Sequence, residues 1–228
     1  MKTKPYILFD CFQTLLYKEG LALAIQDFIK EKADKDVSVS HINTAIRIQY
    51  ERRKFNHPKF ENKEHRLEFY KKYNQELLQL LGIEISSDLA LELNKKLSVL
   101  PYSIYPDVKE ILKYFQAKNF KLGVLANWTS TLKSVLEKSG IAPYFDFISS
   151  SDDLGVAKPD VGIFKDALRK IGQDYSSIYY IGDDYDLDIV PARQVGFKAV
   201  LIDREGFYPN QTDCLKLSDL VGLKDIIS

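Results

Sequence analysis

The stretch YILFDCFQTLL, residues Tyr6 to Leu16, decides how this chain is read. Tyr6, Ile7, Leu8 and Phe9 form a short apolar, β-prone run that stops at Asp10. A buried strand ending in one carboxylate is an economical way to place a nucleophile or metal ligand, since ligands of open α/β sheets gather at the carboxyl ends of strands. Thr14 follows four residues on. The plainer reading is a buried strand whose Asp caps the next helix. Only the rest of the chain separates the two.

Outward from this stretch, composition sets the bounds. A chain of 228 residues is long enough for one large domain or for a core with a smaller companion. Its 32 basic and 32 acidic side chains cancel, so neither nucleic acid nor an anionic membrane is an expected partner. Cys11 and Cys214 are too few for a disulfide framework or a cysteine metal site. Asp10 breaks the N-terminal apolar run before it resembles a signal sequence, and no segment is long enough to span a bilayer. The expected location is cytoplasmic.

After Leu16 the periodicity becomes helical. Helices are predicted over 21–32, 41–55, 62–81 and from the Ser86-Ser87-Asp88 cap to about Leu97, with a turn at Asn56-His57-Pro58. Residues 16–85 thus read as an all-helical insertion with no strand. From Pro101 onward strands and helices alternate, with strands predicted at 121–127, 145–149, 177–184 and 197–203. Short apolar strands between helices predict an α/β fold with a parallel sheet covered on both faces. The expected division is a core of residues 1–15 and 86–228 and a helical domain of 16–85.

The residues just past the strands outline a site. They are Asp10, Ala126-Asn127, the loop DDLGVAKPD with Lys158, and Gly182-Asp183-Asp184 with Asp188 a turn later. Several carboxylates converging with one Lys need a compensating cation, and oxygen ligands point to Mg²⁺. The alternative is that Asp183 and Asp184 cap a helix and Lys158 is a solvated loop residue. Arg47, Arg52, Arg53 and Arg66 read as a solvated helix face, of which one member would meet an anionic substrate. His41, His57 and His65 lack metal-ligand spacing and read as surface residues.

These segments resemble the motifs of the haloacid dehalogenase-like hydrolase superfamily. ILFDCFQTLL is similar to its first motif, VLAN to its second, GVAKPDVGIF to its third and IGDDYDLDIVPARQVGF to its fourth. The helical stretch resembles the family's cap, inserted at the same point. The resemblance implies a Rossmann-like core, a small anionic substrate such as a phosphate ester, and Asp10 as nucleophile forming an aspartyl intermediate. It implies that Thr14 positions the nucleophile loop and Lys158 offsets negative charge. Mg²⁺ would be held by Asp10, Asp183, Asp188 and the backbone carbonyl of Phe12, with Asp184 at a more variable place.

Two positions depart from the phosphatase pattern. Phe12 stands where the family's phosphatases carry a second Asp as general acid and base, and Ala126 stands where a Ser or Thr hydroxyl is usual; Asn127 would replace that donor in part. The family's dehalogenases have an aromatic residue at the position of Phe12, but a less acidic fourth motif. The clustered carboxylates of the fourth motif weigh more than the single aromatic Phe12. The expected function is therefore a Mg²⁺-dependent phosphohydrolase, with a 2-haloacid dehalogenase and a metal-binding or regulatory module without turnover as alternatives.

Overall fold

A computed structural model describes residues 5–56, 62–84, 86–172 and 178–227. In chain order, β1 (Tyr6–Phe9) and β2 (Leu16–Lys18) are followed by α1 (Leu21–Ala33), α2 (Val39–Arg53), α3 (Lys63–Leu80) and α4 (Ser87–Ser98). Then come β3 (Tyr102–Ile104), α5 (Val108–Ala117), β4 (Lys121–Ala126), α6 (Leu132–Lys138), β5 (Phe147–Ser150), α7 (Ser151–Leu154) and α8 (Val161–Ile171). The chain closes with β6 (Ile178–Gly182), α9 (Val190–Gln194), β7 (Lys198–Ile202), β8 (Leu215–Leu217) and α10 (Leu223–Ile226).

Six strands form a parallel sheet in the order β5-β4-β1-β6-β7-β8. The Tyr6–Phe9 run is its central strand, which explains why all four residues are buried. Ile7 and Phe9 pack in one cluster with Val108, Ile111, Leu112 and Phe115 of α5. Tyr6 and Leu8 pack in another with Ile163, Phe164, Ala167 and Leu168 of α8. A strand alternates its side chains, so covering both faces demands an unbroken apolar run. This is the doubly covered α/β core that the strand spacing predicted.

The order of strands also locates the crevice. From β1 the chain steps outward to β4 and β5, then returns to β6 on the other side of β1 and continues outward to β7 and β8. The order therefore reverses between β1 and β6, and ligands of such sheets bind at that switch, beyond the carboxyl ends. Asp10 follows β1 and Asp183 follows β6.

The chain divides into two compact units, Met1–Tyr17 with Tyr102–Ser228, and Lys18–Pro101. The expected boundary at 85/86 is thus displaced. Helix α4 belongs with the helical unit because it buries Ala90 and Leu93, and Leu93 joins the cluster of Ile25, Phe28, Ile42 and Leu78. Asn74 of α3 donates to the Ala90 carbonyl (3.2 Å), tying the two helices together. The expectation that 16–85 holds no strand is also corrected. Leu16–Lys18 pairs with Tyr102–Ile104 in a two-stranded sheet where the chain leaves and rejoins the core. Both strands have three residues, too short to show a period. The same brevity concealed β8.

Within the helical unit the expected solvated arginine face holds at Arg52 and Arg66, which are exposed. Arg47 pairs with Glu51, and Arg53 pairs with Glu76 while lying over the rings of Phe69 and Tyr73. His41 and His65 are exposed; His57, Ile85 and Ser177 lie outside the described residues. No helix among the described residues is long and apolar enough to cross a membrane.

Candidate active site

Asp10 is fixed by its strand: its amide donates to the Ile181 carbonyl of β6 (2.8 Å), and its side chain is buried. The backbone then folds back on itself. The Leu15 and Leu16 amides both donate to the Cys11 carbonyl (2.9 Å each), and Gln13 has a φ of 62°. Thr14 is fully buried at this turn, with its hydroxyl 3.5 Å from Asp183 Oδ1. Arg204, just past β7, donates to the Thr14 carbonyl (2.9 Å) and lies 3.9 Å from the ring centre of Tyr105. The loop after β1 is therefore gripped from outside as well as from within.

Lys158 lies at the centre of the site. Its Nζ donates to Asp10 Oδ1 (2.6 Å), Asp188 Oδ1 (2.6 Å) and the Tyr180 hydroxyl (3.0 Å). Burial works against its charge, but Asp10 and Asp188 outweigh burial and raise its pKa, keeping it an ammonium. The reading of Lys158 as a solvated loop residue fails on this geometry. Asn127 accepts from the Lys158 amide (2.8 Å) and donates to the Lys158 carbonyl (3.0 Å). The expected donor to substrate thus acts here as a clamp on the lysine's backbone. Ala126, the last residue of β4, is buried and brings no polar side chain.

The acidic segment after β6 divides its tasks. Asp184 caps the following turn, accepting from the Asp186 (2.9 Å) and Leu187 (2.8 Å) amides. That part of the capping alternative is correct. Residues Tyr185–Ile189 form a single π-helical turn before α9 begins. The turn directs Asp188 back to the sheet, where Oδ2 accepts from the Asp184 amide (3.0 Å). A Cβ at Gly182 would lie 2.4 Å from the Asp188 carboxylate, so only glycine lets Asp188 approach.

Asp10, Asp183 and Asp188 each bring a carboxylate oxygen into one group whose members lie within 4.8 Å of one another. Burial, followed by the charges of Asp10, Asp188 and Asp184, pushes Asp183 well above the usual carboxylate range. Burial likewise raises Asp188 to about 6 against the opposing pull of Lys158. One ammonium is too little positive charge for this many carboxylates. An all-oxygen donor set with surplus negative charge fits a hard divalent cation such as Mg²⁺.

Phe12 points its ring at other aromatics. It meets Tyr102 edge-on (6.4 Å, 89°) and lies 6.5 Å from Trp128. Tyr180, Tyr105 and Arg204 were absent from the residues read off the sequence. Arg204 obeys the rule that site residues follow the strands, and β7 would have led to it. Tyr180 lies inside an apolar strand and gives no such signal.

Comparison with known proteins places the chain in a family. The family model described as haloacid dehalogenase-like hydrolase matches residues 5–196. The chain is 30% identical over 132 residues to the glyceraldehyde 3-phosphate phosphatase of Methanothermobacter thermautotrophicus, covering 54% of this chain and 58% of that protein. It spans about half the length of the curated relatives it matches. Among solved structures, the HAD-hydrolase YfnB of Bacillus subtilis bound to magnesium superposes with a TM-score of 0.72, at 21% identity and 99% coverage of each chain. An L-2-haloacid dehalogenase superposes with a TM-score of 0.70, at 18% identity and 99% coverage of each chain. These two likenesses concern fold alone. With the family model spanning most of the sequence, and with its motifs gathered around Asp10, the chain belongs to the haloacid dehalogenase-like hydrolases.

Proposed function

We propose that this hydrolase is a Mg²⁺-dependent phosphohydrolase acting on a small phosphorylated molecule through Asp10. The observation that carries the reading is the group of buried Asp10 and Asp188 and half-buried Asp183, of which Asp10 and Asp188 share a single lysine. A carboxyl displacement of halide from carbon has no need of so much negative charge, whereas a cation-assisted phosphoryl transfer does. Similarity to a phosphatase over half the chain, and likeness of fold to a magnesium-bound hydrolase, support it.

In this reading Asp10 attacks phosphorus, forms an aspartyl-phosphate and expels the alcohol or acid; water then cleaves the acyl phosphate and regenerates Asp10. Thr14 holds the loop, and Asn127 holds the backbone of Lys158, whose ammonium offsets the charge of the nucleophile. Asp183, Asp188, Asp10 and the Phe12 carbonyl would hold Mg²⁺, which would supply charge neutralisation at the transferring group. The unit Lys18–Pro101 would act as a cap that excludes water and selects substrate. Phe12 has no proton to give, so phosphates whose leaving group departs as an anion would be favoured over alkyl esters.

A panel of acyl, aryl and alkyl phosphates and 2-haloacids, each assayed with Mg²⁺ and with EDTA, tests the proposal. The expected result is Mg²⁺-dependent phosphate release, reduced on the order of 10⁴-fold or more by Asp10→Asn. Phe12→Asp is expected to speed alkyl ester hydrolysis by about 10²-fold or more. Halide release in EDTA would replace the reading with a dehalogenase.

A further inference from the structure

Among the described residues Tyr180 is the one hydroxyl bonded to the lysine at the centre of the site, and neither the sequence motifs nor the proposed reaction gives it a task. It sits on β6, fully buried, with its ring edge-on to Phe164 (5.0 Å, 71°). Because β1 lies between β6 and β4, the side chain must reach across β1 to place its hydroxyl 2.8 Å from the Leu125 carbonyl. The same oxygen lies 3.0 Å from Lys158 Nζ and 3.3 Å from Asp188 Oδ1.

Proton counting fixes the direction of each bond. A carbonyl only accepts and an ammonium only donates. The hydroxyl has one proton, so it donates to Leu125 at the shorter distance and accepts from Lys158. The Asp188 contact is then a close approach without a second donated proton. Lys158 in turn has three N–H groups and three acceptors: Asp10, Asp188 and Tyr180. With all three satisfied, the ammonium has one orientation. Without the hydroxyl, one buried N–H loses its acceptor and Lys158 is free to lean toward either carboxylate.

We infer that Tyr180 is a positioning residue: acting through Lys158, it sets where the Asp10 and Asp188 carboxylates stand relative to each other when a phosphoryl group is bound. The inference rests on the phosphohydrolase reading above. It assigns a functional role to a tyrosine that would otherwise be only a filler of the sheet's covered face.

Beryllium fluoride with Mg²⁺ is a suitable probe, since it adds to a carboxylate as a phosphoryl mimic and requires no knowledge of the natural substrate. Its affinity is measured by calorimetry for the wild type, Tyr180→Phe, Lys158→Met and the double variant, with melting temperatures alongside. Tyr180→Phe is expected to weaken binding roughly 10- to 100-fold. In the Lys158→Met background the same change should have no further effect, because its route is gone. Unaltered affinity in Tyr180→Phe, or losses that add in the double variant, would overturn the positioning role. An affinity loss in Tyr180→Phe that is regained on cooling, in step with a lowered melting temperature, would do the same. If Tyr180→Phe does not fold, 3-fluorotyrosine at this position keeps the hydroxyl but weakens it as an acceptor, and a smaller loss in the same direction is expected; no loss would overturn the role. Failure of the wild type to bind the probe would instead overturn the phosphohydrolase reading itself.

Discussion

The carboxylate site and the helical unit use the same charged side chains to opposite ends. In the site, Lys158, Asp10 and Asp188 are buried and each is held at a defined distance by named partners. In the helical unit, pairs such as Lys30–Asp34 and Lys72–Glu68 lie one helical turn apart on solvated surface. Water screens the second group, so its members are nearly interchangeable. In the first, Lys158 answers part of the charge of Asp10 and Asp188, and the surplus of carboxylates is left for a ligand to answer. The contrast shows that charge alone does not reveal function; charge without water does.

That contrast is breakable by experiment. Lys158→Met removes the cation that, among the described residues, contacts both Asp10 and Asp188 and is expected to destabilise the metal-free protein by about 3–5 kcal/mol, read by denaturant unfolding. A loss below 1 kcal/mol would mean that the site is as well hydrated as the helical surface.

A smaller effect follows from Asp188, whose carboxyl sits at about 6, above the ordinary value of about 3.9. The folded state therefore binds this proton more tightly than the unfolded state. Its contribution to stability is complete below about pH 4 and is lost as pH rises through 6. In EDTA, the melting temperature of the wild type relative to Asp188→Asn should fall between these limits. Saturating Mg²⁺ should raise the wild-type value most at the upper end. A flat difference would show that Lys158 already compensates Asp188 fully.

The smallest effect belongs to the helical unit. Asp34→Asn or Glu68→Gln should leave the denaturant midpoint nearly unchanged, and less affected still in high salt. A larger change would place those side chains in an environment like that of the site.

How far the sequence reached can be read residue by residue. The run Tyr6–Phe9 announced a strand covered on both faces because only such a strand must be apolar at every position. Asp10, Lys158, Asp183 and Asp188 were legible because each follows a strand, and strands of a parallel sheet end at the same edge. Helix α4 was assigned to the wrong unit, since its apolar face suits either core and the choice depends on which neighbour buries Leu93. Asn127 was read as a donor to substrate, and sequence has no means to show that its amide faces the backbone of Lys158.

The sequence by itself therefore determined the kind of fold, the family and the four charged residues Asp10, Lys158, Asp183 and Asp188, though not Arg204. Those follow from local periodicity and from the order of the motifs. Tertiary structure alone decided that Lys158 bonds to Asp10 and Asp188 together, that Asp184 caps while Asp188 turns inward beside Gly182, and that Tyr180 reaches across β1 to the lysine. The lysine's contacts join residues far apart in the chain, and their strength depends on the exclusion of water, which no stretch of sequence specifies.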